Sequence, residues 1–159
     1  MKKYWQNKLI NTLVGGLLFA LIVNFTPALF CTLWYNAHSF DYFVDIEKLE
    51  LVGIDGYILD FDLKRSARFD ISASAKKEVY RMTGQTIDGE EIWKQIDGVH
   101  TTPDFIYETE LNDLESGFEI RWDYELPKGE TYRVVDLVIL DMPYGKDKTK
   151  VITTNEISI

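Results

Sequence analysis

Few side chains in this sequence of 159 residues have catalytic potential. It contains two histidines, His38 and His100, and one cysteine. His100 is followed within four residues by two threonines and an aspartate, the residue types of a hydrolytic triad. Residues clustered on one loop cannot converge as a triad does, so we interpret His100 as a loop residue. The sequence predicts no catalytic residues and a protein that is not an enzyme.

Metal ligation by thiolate is confined to Cys31, which lies in an apolar segment. Carboxylates lie near turns in the runs DGEE (residues 88–91) and DG (97–98), where backbone carbonyls could complete a calcium site. The loop spacing of an EF-hand is absent from the sequence. We predict no metal and no cofactor, and we leave open whether the acidic surface binds calcium.

The charge is strongly acidic, with a net value of −9. Between residues 86 and 126 there are twelve acids against only Lys94 and Arg121. Such a field repels nucleic acid, so we predict no nucleic-acid partner. A protein partner would have to present basic groups, unless the acidity only keeps the domain soluble.

An apolar segment precedes this acidic region. Residues 9–33 are 25 consecutive uncharged residues, which as a helix reach about 37 Å and exceed the roughly 30 Å of a bilayer core. The h-region of a signal peptide is shorter, at about 7–15 residues. We predict a transmembrane helix, with a cleaved signal as the alternative.

The flanks of this segment fit a membrane span. Tyr4 and Trp5 lie before it and Trp34 and Tyr35 after it, as expected of aromatic anchors at the two interfaces. The lysines at positions 2, 3 and 8 place the N-terminal side in the cytoplasm by the positive-inside rule. We therefore predict that the remainder of the chain is extracytoplasmic.

Small and polar residues recur every four positions within the span. Gly16, Ala20, Asn24 and Ala28 form the centre of this row, and Thr12 and Thr32 extend it. Small residues at this spacing let two helices approach closely in lipid, where an Asn can hydrogen-bond across the contact. The row predicts a helix–helix interface. A kink at Pro27 would instead offer Asn24 a local carbonyl.

Beyond residue 43 the hydrophobic period changes to two. Phe118, Ile120, Trp122, Tyr124 and Leu126 alternate with charged residues, as in a half-buried strand with a core face. Further strands are predicted at residues 46–52 and 57–64, from residues 69–75 onward, around 92–96, and at 105–111, 134–140 and 151–157. The strand at 134–140 is predicted to be central and covered on both faces. Turn residues separate them at short spacing. The fold class is mainly β, with an N-terminal transmembrane helix and an antiparallel immunoglobulin-like sandwich of 7–8 strands.

The run LPKGETY contains Leu126, Pro127, Gly129 and Tyr132 before a long apolar strand, and IWKQIDG occupies residues 92–98. With the basic anchor, these features resemble small membrane-anchored proteins encoded by phages and prophages, although the cysteines of that group are missing. The resemblance implies a bacterial envelope setting.

These observations divide the chain into a cytoplasmic tail (1–8), a transmembrane helix (9–35), a membrane-proximal link (36–43) and an extracytoplasmic sandwich (44–159). In the link, Phe40, Tyr42 and Phe43 could rest in the membrane interface. The predicted location is the bacterial inner membrane, with the sandwich in the periplasm.

Two functions remain open. The first is a non-enzymatic envelope protein that binds an integral membrane protein, or its own copy, through the helix; accessory, assembly and superinfection-exclusion roles fit it. The second is a binding module for a small molecule or glycan, with Trp93, Tyr107 or Trp122 as a stacking platform.

Overall fold

The computed structural model describes the backbone of residues 2–159 and the side chains of residues 12–159. Two compact units are distinguished, and each is described by itself. The first contains the N-terminal helix up to His38 together with Pro143–Lys146, and the second contains Ser39–Met142 and Asp147–Ile159.

The first unit is dominated by one apolar helix, α1, which spans Lys2–Ala37 and contains Pro27 in its interior. Within the described residues, the most apolar 18-residue window of Thr12–Ala37 has a mean hydropathy of 2.1, and none of that window is buried. A helix of this length and hydropathy is that of a membrane anchor or a signal sequence. The predicted N-terminal apolar helix is therefore present.

The predicted link between helix and sandwich is structured. A short helix, α2, spans Phe40–Phe43 in the second unit, and Phe40 and Phe43 are buried there. The Arg68 guanidinium lies 4.2 Å from the centroid of the Tyr42 ring. The expectation that Phe40 and Phe43 rest in the membrane interface is wrong, because both aromatic rings are used in the core of the domain.

The second unit is an antiparallel sandwich-like fold, which confirms the predicted fold class. Its strands are β1 (Val44–Asp55), β2 (Ile58–Ala67), β3 (Ile71–Gln85), β4 (Glu91–Gln95), β5 (His100–Tyr107), β6 (Glu115–Arg121), β7 (Thr131–Leu140), β8 (Lys148–Thr153) and β9 (Ile157–Ser158). One sheet has the order β1–β2–β6. In the other sheet β3 pairs with β7 on one side and with β4 and β5 on the other, and β7 also pairs with β8 and β9. There are nine strands, because the predicted last strand is divided into β8 and β9.

The core lies between the inward faces of the two sheets. It is formed by apolar side chains of both sheets and the loop after β6: Leu49, Leu51, Leu59, Phe61, Val79, Ile120, Trp122, Leu126, Tyr132 and Val134. Trp122 is 3% exposed, as its alternation with charged residues predicts. The strand β7 is central, yet only its inward face is fully buried and its other face is half-buried.

Three strand predictions differ from the structure in detail. Residues 109–111 form a 3₁₀ turn rather than the end of β5, because the Asp70 carboxylate accepts hydrogen bonds from the backbone N–H and hydroxyl of Thr109. Tyr124 is exposed, since β6 ends at Arg121. In β4, Ile92 is exposed and Trp93 half-buried beneath the Arg133 guanidinium, 4.1 Å from its ring.

The run LPKGETY forms the corner that leads into β7. Tyr132 is completely buried, and its hydroxyl donates a hydrogen bond of 2.8 Å to the Pro127 carbonyl. Gly129 has a positive φ of 82°, which favours glycine at this turn. This is the arrangement of a tyrosine corner, a feature of Greek-key sandwiches. The motif that supports the phage resemblance thus has a structural role in the corner.

Two asparagines occupy positions where a neighbouring strand would otherwise pair. The Asn155 side chain accepts from the Leu51 N–H at 2.7 Å and donates to the Leu51 carbonyl at 3.0 Å. Asn112 does the same for Ala67 of β2, at 2.6 and 2.8 Å. These amides satisfy backbone groups at points where strand pairing stops.

Candidate functional site

The inward rows of β3 and β7 each contain one fully buried charged residue. In β3 this residue is Lys77, between Ala75 and Val79, and in β7 it is Asp136, between Val134 and Val138. The strand register places Lys77 directly opposite Asp136. Lys77 is 5% exposed and Asp136 is 3% exposed. An ion pair therefore lies inside an otherwise apolar part of the sandwich.

Only one oxygen of the Asp136 carboxylate is paired. The Lys77 ammonium lies 2.8 Å from Oδ2 of Asp136. Oδ1 is buried and has no hydrogen-bond partner among the described residues. Burial raises the pKa of the Asp136 carboxyl above its ordinary value, and the Lys77 ammonium acts in the opposite direction. Oδ1 is thus an unpaired acceptor enclosed by the surrounding atoms, beside a buried cation.

This pair lies in the wall of a cavity of about 330 Å³ between the two sheets. The volume is within the range of about 300–1,000 Å³ that ligand pockets occupy. The other walls are mainly apolar and come from both sheets, with Leu49, Leu63 and Phe118 on one side and Phe105, Tyr107 and Val138 on the other. Such a chamber combines apolar contact with a small polar region, as small-molecule sites do.

His100 belongs to the same cavity, which corrects its interpretation as a loop residue. It is the first residue of β5, and the register places it opposite Lys77 on the side away from Asp136. Directly opposite residues of antiparallel strands share one face of the sheet. The half-buried His100 and Thr102 and the exposed Glu119 also line the cavity, and they mark the side on which it meets solvent.

A third buried charge lies near one end of this region. Arg65 of β2 is 6% exposed and donates to the Glu108 carbonyl at 2.6 Å. Its guanidinium lies 5.1 Å from the centroid of the Tyr107 ring. Burial raises the pKa of the Tyr107 hydroxyl, and the Asp136 charge raises it further. The Tyr107 wall of the cavity is therefore uncharged at neutral pH.

The predicted helix row lies on α1. Gly16, Ala20, Asn24 and Ala28 are exposed, and no atom lies within 4 Å of a Cβ built at Gly16. Asn24 Nδ2 donates to the Ala20 carbonyl at 2.7 Å, and Thr32 donates to the Ala28 carbonyl at 2.8 Å. The local partner of Asn24 is thus Ala20, not the carbonyl four residues before Pro27.

The predicted membrane anchors are described only at the C-terminal end of α1. Trp34 and Tyr35 lie in its last turn, with ring centroids 5.0 Å apart in an edge-to-face arrangement. The side chains of Tyr4 and Trp5 lie outside the described residues.

The aromatic platform proposed for glycan stacking does not form. Tyr107 and Trp122 are buried, at 5% and 3% exposure, and the ring of Trp93 is covered by Arg133. Over the side chains of residues 12–159, no group of three His, Cys, Asp or Glu residues is placed to hold a metal ion.

Sequence reasoning did not find the Lys77–Asp136 pair. The run VVDLVIL at residues 134–140 reads as an almost wholly apolar strand, in which the single acid has no evident face. Counting in steps of two from Tyr132 places Asp136 in the same row as Val134, Val138 and Leu140. An acid within a buried row is the signal that could have identified this site.

No protein-family model matches the sequence, and no curated protein matches it. Solved structures show partial similarity, and two of them are described here. The sporulation control protein Spo0M from Bacillus subtilis has 18% identity and a TM-score of 0.32, over 70% of this chain and 47% of that chain. A β-glucuronidase from Bacteroides uniformis has 12% identity and a TM-score of 0.32, over 70% of this chain and 12% of that chain. The chain spans less than half the length of either structure, and similarity at this level carries no argument about function.

The ion pair gives a prediction about stability. Asp136→Leu alone should lower the free energy of unfolding by about 3–5 kcal/mol, because it leaves the buried Lys77 ammonium without a counterion. Combining it with Lys77→Met should restore stability or exceed the wild-type value by about 1–4 kcal/mol. Denaturant unfolding of the full chain in detergent, followed by tryptophan fluorescence, measures both.

The exposed pair of Lys64 and Glu47, 2.6 Å apart, is the control. Glu47→Leu should change the free energy of unfolding by less than about 1 kcal/mol. A similarly small loss for Asp136→Leu would contradict the burial of the Lys77–Asp136 pair.

Proposed function

We propose that this protein is a membrane-anchored, non-enzymatic binding protein whose sandwich takes up a small, mainly apolar molecule between its sheets. The observation that carries the proposal is the cavity of about 330 Å³ with the buried Lys77–Asp136 pair in its wall. Of the two types of ligand expected for a binding module, a small molecule fits this cavity. A glycan would need the open aromatic surface that the described side chains do not form.

The energetics of the pair support a functional role. Desolvating two charges costs several kcal/mol per ion, and apolar replacements of similar volume are often as stable or more stable. Lys77 and Asp136 are therefore poorly explained by stability alone. Buried charges and imperfectly satisfied polar groups are more common where a protein binds or reacts.

In this proposal α1 is the membrane anchor. Its basic N-terminal side would face the cytoplasm and the acidic sandwich the outside, in the inner membrane of a bacterium with the sandwich in the periplasm. The resemblance to phage-encoded anchored proteins supports this envelope setting.

Orientation is tested with a reporter enzyme that is active only outside the cytoplasm. Fused after Ile159, it should be active, and fused before Met1 it should be inactive, because the lysines retain the N-terminal side in the cytoplasm. The full-length chain should remain in the membrane fraction. Recovery of a soluble, shortened chain would identify the apolar segment as a cleaved signal.

Binding is tested with benzene, a small apolar probe of interior cavities. We expect benzene to shift the methyl NMR signals of Leu49, Leu63 and Val138 in the full chain, held in nanodiscs. In Ala75→Leu the added side chain fills the cavity from β3, so these shifts should be lost.

The matched control is Ser74→Leu, which places the same side chain on the other face of β3 and should leave benzene binding unchanged. Ile46→Phe is a second blocking variant, for use if Ala75→Leu does not fold. Ile46 is half-buried in the lining, and the larger side chain would fill the cavity from β1. Benzene shifts that persist in a folded blocking variant, or that are missing from the wild type, would contradict the proposed function.

A second candidate is association of α1 with an integral membrane protein or with another copy of this chain, which would give the protein an accessory or assembly role. The observation favouring it is the exposed small-residue row: side chains added at Gly16 would meet no described atom of the same chain. Close helix approach in lipid requires such positions. The Asn24 amide donates to the Ala20 carbonyl of its own helix. We therefore expect the association to depend on packing rather than on a polar contact between helices.

Gly16→Leu and Ala20→Leu should abolish this association, since Leu preserves membrane insertion and blocks close approach. Gly15→Leu is the control: Gly15 is equally open but lies about 100° around the helix. Asn24→Leu should have a smaller effect than Gly16→Leu. The measurement is cross-linking in membranes together with co-purification. Equal results for Gly15→Leu and Gly16→Leu would show that the row is not an interface.

A further inference from the structure

The strand β6 has one edge that no described strand covers. Its residues, Glu115–Arg121, pair with β2 on one side in a regular antiparallel ladder without a bulge. On the other side, no strand of residues 2–159 pairs with it. The unpaired backbone groups of such an edge are a template for a strand from another chain.

Other edges of the sandwich carry features that oppose strand addition. In β1, Asn155 occupies the backbone of Leu51, and two register shifts interrupt the ladder with β2. In β5, Pro103 has no backbone N–H and lies at a register shift. The outer strand β8 carries Lys148 and Lys150. Proline, lysine and bulges protect edge strands from pairing, and β6 contains none of them.

The charges of β6 are complementary to those of a second copy. Two copies related by a two-fold axis pair antiparallel, and when the whole strand takes part its middle residue, Phe118, faces itself. This register places Glu115 of each copy opposite Arg121 of the other. Gly117 lies opposite Glu119, so no two like charges face each other directly. Opposite charges at facing positions stabilise a strand pair, and like charges destabilise it.

The charged groups at the two ends of β6 are accessible to a second copy. Arg121 is exposed, and the Glu115 side chain is 53% exposed. The Lys48 ammonium donates to Oε1 of Glu115, which leaves Oε2 of the same carboxylate for a guanidinium. An ion pair can therefore form at each end of the strand pair.

The inward face of β6 also offers surface to a second copy. Phe118 is half-buried and stacks on Phe61 of β2, with ring centroids 5.1 Å apart. In the two-fold pairing its ring lies beside Phe118 of the second copy, which extends this aromatic row across both chains. The pairing thus buries apolar surface that is partly exposed in the single chain.

We propose that β6 is a dimerisation edge, which pairs antiparallel with β6 of a second copy and has Phe118 at the two-fold axis. The two β1–β2–β6 sheets then form one continuous sheet. Because Asn155 obstructs the far edge of this sheet at Leu51, the assembly ends at two copies. The inference goes beyond the proposed function and does not depend on the cavity.

The register is tested by disulfide cross-linking of full-length chains in membranes, because an interface of one strand pair is small and covalent trapping detects it. In a Cys31→Ser background, differently tagged chains with Gly117→Cys and with Glu119→Cys should cross-link, since these positions face each other. A Cβ at Gly117 lies 3.7 Å from its nearest atoms, so cysteine fits there. The matched pair of Gly117→Cys with Glu115→Cys should not cross-link, because these positions are displaced by about 14 Å along the strands.

The ion pairs are tested by charge reversal in the same assay. Glu115→Arg and Arg121→Glu should each reduce cross-linking about tenfold, because two opposite-charge pairs become two like-charge pairs. The double variant Glu115→Arg, Arg121→Glu should restore it, and the two single variants should cross-link with each other. The control is Glu50→Arg, which also removes an acid 3.4 Å from Lys48 but lies on β1, and it should leave cross-linking unchanged.

Equal cross-linking of the facing and displaced cysteine pairs would overturn the inference, as would charge variants that neither weaken nor restore it. Cross-links from Gly117→Cys to a different membrane protein, with none between copies, would overturn the second copy as the occupant of this edge. Association through α1 alone would show no preference for facing positions of β6 and would be removed by Gly16→Leu. None of these outcomes refutes the proposed function, which the benzene shifts test separately.

Discussion

The sandwich is held together by the burial of side chains between two sheets, with no covalent link between them. The one cysteine of the chain, Cys31, lies in α1 and is not bonded to another. In many immunoglobulin-like domains a disulfide joins the sheets, whereas here Trp122, Tyr132 and Phe61 fill the space between them. Everything placed in that interior must therefore be compatible with close packing.

The Lys77–Asp136 pair is the clearest exception to this dependence on apolar packing. A domain that depends on apolar burial has placed two charges on its central strands, at a point where the sheets enclose a cavity. The tightly packed cluster around Tyr132 and Val134 lies further along the same strand β7. The sandwich thus has a well-packed region around Tyr132 and a less filled region around the cavity. This division explains how one small domain can fold without a disulfide and still contain a pocket.

The sequence was most informative where one physical effect dominates. Alternation around Trp122 identified a buried face, because a strand with one wet side has a strict period of two. The turn run LPKGETY identified a boundary, although only the structure shows Tyr132 donating to Pro127. Prediction failed where long-range pairing decides the outcome. His100 looks like a loop residue until β5 is seen to pair with β3, and residues 109–111 look like strand until Asp70 is seen to bind Thr109.

The candidate site could not be predicted from sequence because its members come from separate strands. Asp136 and Lys77 are 59 positions apart, and neither has a neighbour in sequence that would indicate a partner. Only the register of β3 against β7 brings them opposite each other. The helix row, by contrast, is a local pattern with a period of four, so it could be read directly from residues 16–28. Local periodicity can be read from one segment, whereas a constellation across a sheet requires the topology.

The asparagine side chains at Leu51 and Ala67 have a consequence for encounters between copies of this chain. Unpaired strand backbone on such chains would be a template for sheet extension from one molecule to the next. Asn155 and Asn112 occupy the free backbone groups of β1 and β2 at these positions with side-chain amides that propagate no further. The backbone groups of Leu51 and Ala67 are thereby unavailable for pairing with a strand of another chain.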